Sequence, residues 1–143
     1  MDTTDFTLSA TLTTAYDATV ARVRELLGDA GFGVLTEIDI RATMKAKLDV
    51  DVAPQVILGA CRPQLAHRAL QADPRIATLL PCNVVVADAG DGHTRVEVMD
   101  PAFMASVAPD PELAEVAADA RARLAGMMDA LTADAGVDHA AGA

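Results

Sequence analysis

Two segments in the middle of the chain most constrain its fold, because each is apolar on both sides when it is read as a strand. The first is QVILGAC, whose two sides are Val56, Leu58 and Ala60 against Ile57, Gly59 and Cys61. The second lies in PCNVVVAD. Helices cover only one face of an open sheet, and large exposed apolar patches are unusual in soluble monomers. We therefore expect a second copy of the chain, a ligand cavity or a returning loop to cover the other face, and a homodimer is the commonest of these solutions.

The remaining elements follow from hydrophobic periodicity. FTLSATLTT alternates as a half-buried strand, and the segment from Thr14 to Gly31 predicts an amphipathic helix with a capping box of Thr14 and Asp17 and a left-handed stop at Gly31. FGVLTEIDI is a further strand, whereas RATMKAKLD suggests a short helical excursion.

Later segments predict two more helices and a hairpin. Pro63 opens the helix RPQLAHRALQAD at its first position, where the missing N–H costs nothing. PCNVVVAD and HTRVEVMD are the hairpin arms around the turn AGDG, and DPAFMASV reads as a loop or single turn. The last helix has an apolar face made of Leu113, Val116, Ala120, Leu124, Met127, Met128 and Leu131.

The predicted order is β-α-β-β-α-β-β-α, which favours an α+β fold with helices packed on one face of a largely antiparallel sheet. A chain of 143 residues suits one domain, which we place at residues 1–131, with a disordered tail at 132–143.

Charge and hydropathy exclude several classes of function. The formal net charge of −10 repels phosphate backbones, so we expect no nucleic-acid partner, and it also disfavours anionic lipid. No stretch has the roughly 18 to 20 continuous apolar residues of a membrane span, and the start of the chain lacks the features of a secretory signal. We therefore expect a cytoplasmic protein with reduced thiols.

The two cysteines are the residues that most suggest a chemical function. Cys61 lies just before the helix that Pro63 opens, where free amides, the helix dipole and the charges of Arg62 and Arg68 would stabilise a thiolate. The alternative is a small buried residue, since free cysteine is among the most buried residue types. Cys82 reads as a core residue, and Asn83 beside it could donate to a ligand or satisfy a strand edge. The spacing does not show whether the two thiols meet.

Other side chains give weaker signals. His67 falls on the solvated side of its helix, while His93 opens a hairpin arm and His139 lies in the tail. The chain has no HExxH motif, so a zinc hydrolase is not expected. Glu37 and Asp39 share one side of a strand, which is typical of a solvated face. We assign no catalytic residue.

Two cysteine-containing motifs occur together, Gly59-Ala60-Cys61-x-Pro63 and Leu80-Pro81-Cys82-Asn83. With GFGVLTEIDI and the Asp-Pro pair after the hairpin, they make residues 5–107 resemble the domain-of-unknown-function family 302 of small prokaryotic proteins. The resemblance implies an α+β fold like one repeat of the TATA-box-binding protein, homodimers in related structures, and no established activity or DNA binding. It also implies that Asn is common at the position of Arg62, so a site formed there would be altered in this chain.

Two hypotheses about function remain. In the first, the chain is a non-enzymatic homodimeric domain that binds a small-molecule ligand at the second face of the sheet. In the second, Cys61 and Cys82, with Arg62 and Asn83 nearby, handle a soft metal, a persulfide or a redox reaction. The sequence identifies neither the cofactor nor the metal.

Overall fold

The computed structural model describes residues 1–134. Its strands are β1 (Asp2–Thr3), β2 (Thr7–Leu12), β3 (Gly33–Asp39), β4 (Gln55–Cys61), β5 (Cys82–Gly90) and β6 (His93–Met99). Its α-helices are α1 (Tyr16–Asp29), α2 (Ile40–Leu48), α3 (Pro63–Ala72), α4 (Ala102–Val107) and α5 (Pro111–Asp134), and a 3-10 helix spans Pro74–Leu79.

The six strands form one antiparallel sheet in the order β1-β2-β6-β5-β4-β3. Helix α5 packs against α1, α3, α4 and β2, and α1 also contacts β5 and β6. Helices α1, α3, α4 and α5 therefore form a layer on one face of the sheet, and the predicted α+β class is confirmed.

The core lies between this helical layer and the sheet. Alternate side chains of the four long central strands point into it and are almost fully buried, among them Leu8, Leu58, Val84, Val86, Val96 and Val98. The predicted apolar face of α5 is confirmed, since all seven of its members are buried. The helix continues past residue 131 to Asp134, and the rest of the predicted tail lies outside the described residues.

The opposite face of β4 and β5 is partly covered by the chain itself. Ile57 and Val85 are half-buried, and Gly59 is buried. A Cβ added to Gly59 would lie 2.1 Å from Oγ1 of Thr36 and 2.7 Å from Cγ of Pro81, so these two residues pack directly on the glycine backbone. Part of the cover predicted for this face therefore comes from the chain itself, namely from Thr36 of β3 and from Pro81, which precedes β5.

Strand β2 is buried on both sides, so the prediction that it is half-buried was wrong. Its polar residues Thr7, Ser9 and Thr11 are all buried on the second face. They lie beside the long side chains of β6, where Arg95 Nε donates to Glu97 Oε1 at 2.8 Å and Thr7 donates to the same carboxylate. This half of the second face is therefore covered by a hydrogen-bonded polar layer.

The predicted helix ends are partly confirmed. Gly31 has a φ of 88° after α1, as a left-handed stop requires. The prediction of a capping box was wrong, because the N-cap residue of α1 is Ala15, which makes no side-chain hydrogen bond. Oγ1 of Thr14 instead lies 2.7 Å from Oγ1 of Thr19.

Strand β3 forms one edge of the sheet, and its pairing with β4 shifts register between Val34 and Thr36. Leu35, at this irregularity, is 66% exposed. The solvated carboxylates predicted here have structural contacts: Glu37 pairs with Arg24 at 2.7 Å, and Asp39 accepts from the backbone N–H of Ala42 at 2.9 Å to cap α2.

Candidate functional site

A small cavity of about 30 Å³ lies on the helical side of the sheet, between β4, β5, α3, α4 and α5. Its wall is mostly apolar and includes Phe32, Ala60, Leu65, Leu80, Val116 and Ala120. A water molecule needs roughly 10–15 Å³ of such space. The cavity therefore has room for about two non-hydrogen atoms, and it lies on the opposite side of the sheet from the predicted site.

Both cysteines line this cavity. Cys61 ends β4, Cys82 begins β5, and the antiparallel register places Ala60 directly opposite Cys82. The pairing of the two strands thus brings the thiols to the same end of the sheet, which the spacing between them did not reveal. Neither cysteine forms a disulfide.

The environment of both thiols favours their protonated forms. Burial, with a smaller contribution from the charge of Cys61, raises the pKa of Cys82 to about 11, so the two thiols interact electrostatically. Burial also raises the pKa of Cys61. Of the two alternatives for Cys61, this direction favours the buried small residue over the stabilised thiolate, because desolvation disfavours the charged form.

The two arginines near α3 have different surroundings. Arg68 binds α5, with Nε 2.7 Å from Glu112 Oε1 and Nη2 3.1 Å from Glu115 Oε2. Arg62 lines the cavity, and its Nη1 donates to the carbonyl of Gly31 at 3.5 Å. Nε of Arg62 is buried and has no hydrogen-bond partner among residues 1–134. Arg62 therefore brings a positive charge and a spare donor to the site.

Asn83 does not join the cysteines. It is exposed and lies opposite Gly59 on the second face of the sheet, while Cys82 before it and Val84 after it are buried. His67 is exposed on α3, as predicted, and His139 lies outside the described residues. Within residues 1–134, no group of three or more His, Cys, Asp or Glu side chains is placed to hold a metal ion.

A third sulfur at the cavity was missed by the sequence analysis. Met104 lines the same space and is 3% exposed. It lies on α4, in the segment predicted as a loop or single turn, and Asp100 holds the start of this helix by accepting from the N–H of Ala102 at 2.9 Å. The Asp-Pro pair before AFMASV was a signal of a helix start that could have placed Met104 on a helix.

The raised pKa of Cys82 predicts a loss of stability in alkali. The unfolded thiol loses its proton near its ordinary pKa of 9.0, whereas the folded thiol keeps it up to about 11. Between these values the unfolded state binds fewer protons, so the free energy of unfolding falls as pH rises, by roughly 2–3 kcal/mol in total. Urea denaturation across this range measures the effect. A Cys82→Ala chain should show a shallower decline, and an equal decline in both chains would contradict the assignment.

None of the helices in residues 1–134 is both long and apolar enough to cross a membrane.

Comparison with known proteins shows what the whole chain is similar to. The family model described as domain of unknown function DUF302 matches residues 8–131. A crystal structure of an uncharacterized conserved DUF302 protein from Bacillus stearothermophilus is similar, with 33% sequence identity and a TM-score of 0.79 over 88% of this chain and 98% of that chain. No curated protein matches.

Proposed function

Because this chain belongs to the DUF302 family, whose description assigns no function, we propose a function from the site alone: a non-enzymatic domain that binds a small thiol-seeking ligand between Cys61 and Cys82. The observation that carries this proposal is that Cys61 and Cys82 both line one cavity of about 30 Å³.

The properties of the site favour binding over catalysis. A nucleophilic cysteine has a lowered pKa, because the thiolate is the reactive form. Here burial raises the pKa of both thiols, and this opposes thiolate attack at neutral pH. A ligand that displaces the thiol protons as it binds does not depend on a free thiolate. The proposed site thus combines the ligand of the first hypothesis with the cysteines of the second.

Two further features belong to the proposal. A reducing compartment such as the cytoplasm would keep both thiols available. A homodimer would cover the rest of the second face, where Ile38 is 45% exposed and Ile57 and Val85 are half-buried. The polar layer over β2 and β6 reduces the apolar area left for such an interface, so the homodimer stays a prediction from the sequence.

Arsenite provides the test of thiol pairing, because its As(OH)₃ form bridges two thiols with release of two water molecules. The AsOH group that remains has two non-hydrogen atoms, which suits the cavity. We expect native mass spectrometry to show one bridging adduct on the full chain, and we expect the adduct to protect both cysteines from alkylation.

Single substitutions complete the test. Cys61→Ser and Cys82→Ser should each abolish the adduct, whereas Asn83→Ser, on the opposite face, should retain it. Independent reaction at each thiol, or no reaction until the chain unfolds, would contradict the proposed function.

A further inference from the structure

Three sulfur-containing residues from three different elements line the same cavity. Cys61 comes from the end of β4, Cys82 from the start of β5 and Met104 from α4. Cys82 and Met104 are both buried, at 6% and 3% exposure. A buried methionine at this point would ordinarily be a packing residue, but this one lines the same cavity as two cysteines.

A set of two cysteines and one methionine favours soft metal ions. Thiolate and thioether ligands favour Cu(I), while carboxylate, carbonyl and water suit harder ions. Structural zinc sites use four tetrahedral ligands from cysteine, histidine or carboxylate side chains. Within the described residues no such group of even three is assembled. A monovalent ion that accepts two or three sulfur ligands therefore fits the site better than zinc.

Arg62 completes the charge balance. One monovalent ion with two thiolates carries a net charge of −1, which is costly to bury without a partner. Arg62 lines the same cavity, and its buried Nε has no acceptor among residues 1–134. A thiolate sulfur can accept the hydrogen bond that this N–H lacks, as outer-shell donors commonly do at metal sites.

We propose that the cavity binds one monovalent soft metal ion of the Cu(I) class, with thiolate ligands from Cys61 and Cys82 and the thioether of Met104 as third ligand. On binding, two S–H bonds break, two metal–sulfur bonds form and two protons leave to solvent, with no change in oxidation state. The thioether coordinates through a lone pair and loses no proton. This proposal rests on the proposed function and names the class of its ligand.

Anaerobic titration of the full chain with Cu(I), in competition with a chromophoric Cu(I) chelator, tests it. We expect one ion per chain. Cys61→Ser and Cys82→Ser should each weaken binding by at least about 100-fold, because each removes a charged ligand, and Met104→Leu by about tenfold. Met128→Leu is the matched control, since Met128 is fully buried in α5 and does not line the cavity.

The Met→Leu changes keep side-chain volume, so both variants should fold, and circular dichroism checks this. X-ray absorption at the copper edge supplies a second readout, with three sulfur neighbours in the wild-type chain and in Met128→Leu but two in Met104→Leu. Equal affinity and equal sulfur number in the two methionine variants would overturn the role of Met104.

The arsenite result distinguishes a failure of the proposed metal site from a failure of the proposed function. If arsenite bridges the thiols but Cu(I) binds no more tightly than to a chain lacking both cysteines, the metal proposal fails and the proposed function stands. If neither probe binds, both fail.

Discussion

Replacing Leu58 with alanine is expected to lower the free energy of unfolding by about 2–5 kcal/mol. Leu58 is fully buried on the helical side of β4, opposite Val84 of β5. Truncation removes apolar contacts and leaves a cavity that the paired strands on both sides cannot collapse to fill. Urea denaturation measures the change as a lower midpoint with an unchanged slope.

Leu35→Ala is the matched control for this substitution. Leu35 carries the same side chain on the neighbouring strand but is 66% exposed at the irregularity in β3. We expect its replacement to change stability by no more than about 0.5 kcal/mol. Similar losses for the two variants would show that the sheet does not pack against the helices as described.

Replacing Gly59 with alanine is expected to destabilise the chain by about 1–3 kcal/mol. The added Cβ would lie 2.1 Å from Oγ1 of Thr36 and 2.7 Å from Cγ of Pro81, and both contacts are shorter than atoms tolerate. Since Pro81 belongs to a rigid ring, Thr36 or the backbone has to move. The midpoint of thermal or urea unfolding measures the cost.

Gly28→Ala separates this steric cost from the general effect of losing a glycine. Gly28 lies in α1, and a Cβ added there meets nothing within 4 Å. Alanine should therefore stabilise the chain by about 0.4–1 kcal/mol, through reduced freedom of the unfolded state. Thr36→Ala in the Gly59→Ala background should recover part of the lost stability. An increase in stability for both Gly28→Ala and Gly59→Ala would contradict the close packing on Gly59.

Local patterns were sufficient to predict the elements with strong periodicity or clear end signals. The apolar face of α5, the start of α3 at Pro63 and the turn between β5 and β6 all depend on residues close in sequence. The capping box failed because Thr14 makes its side-chain contact with Thr19 and accepts, through its carbonyl, a 2.7 Å hydrogen bond from Thr94. Such a tertiary contact competes with capping and leaves no trace in the local sequence.

The candidate site was only half predictable. The two cysteines can be recognised in the sequence as candidate site residues, but their positions at one cavity depend on the register of β4 against β5. The position of Met104 depends on how α4 packs on α5. Pairing of residues far apart in the chain is not encoded in periodicity. The two alternatives for Cys61 stayed open in the sequence for a related reason: the helix start after Cys61 is visible there, but the depth of burial that raises the pKa of Cys61 is not.

The irregularity between Val34 and Thr36 has a consequence for how copies of this chain can associate. An open edge strand is a template for further strands, and a bulge together with outward charges is a common means of blocking fibril growth. Strand β3 has the irregularity, and the exposed carboxylates of Glu37 and Asp39 follow it, the first paired with Arg24 and the second capping α2. Continuous sheet extension through this edge is thereby disfavoured, and a pair of chains would associate through another surface than β3.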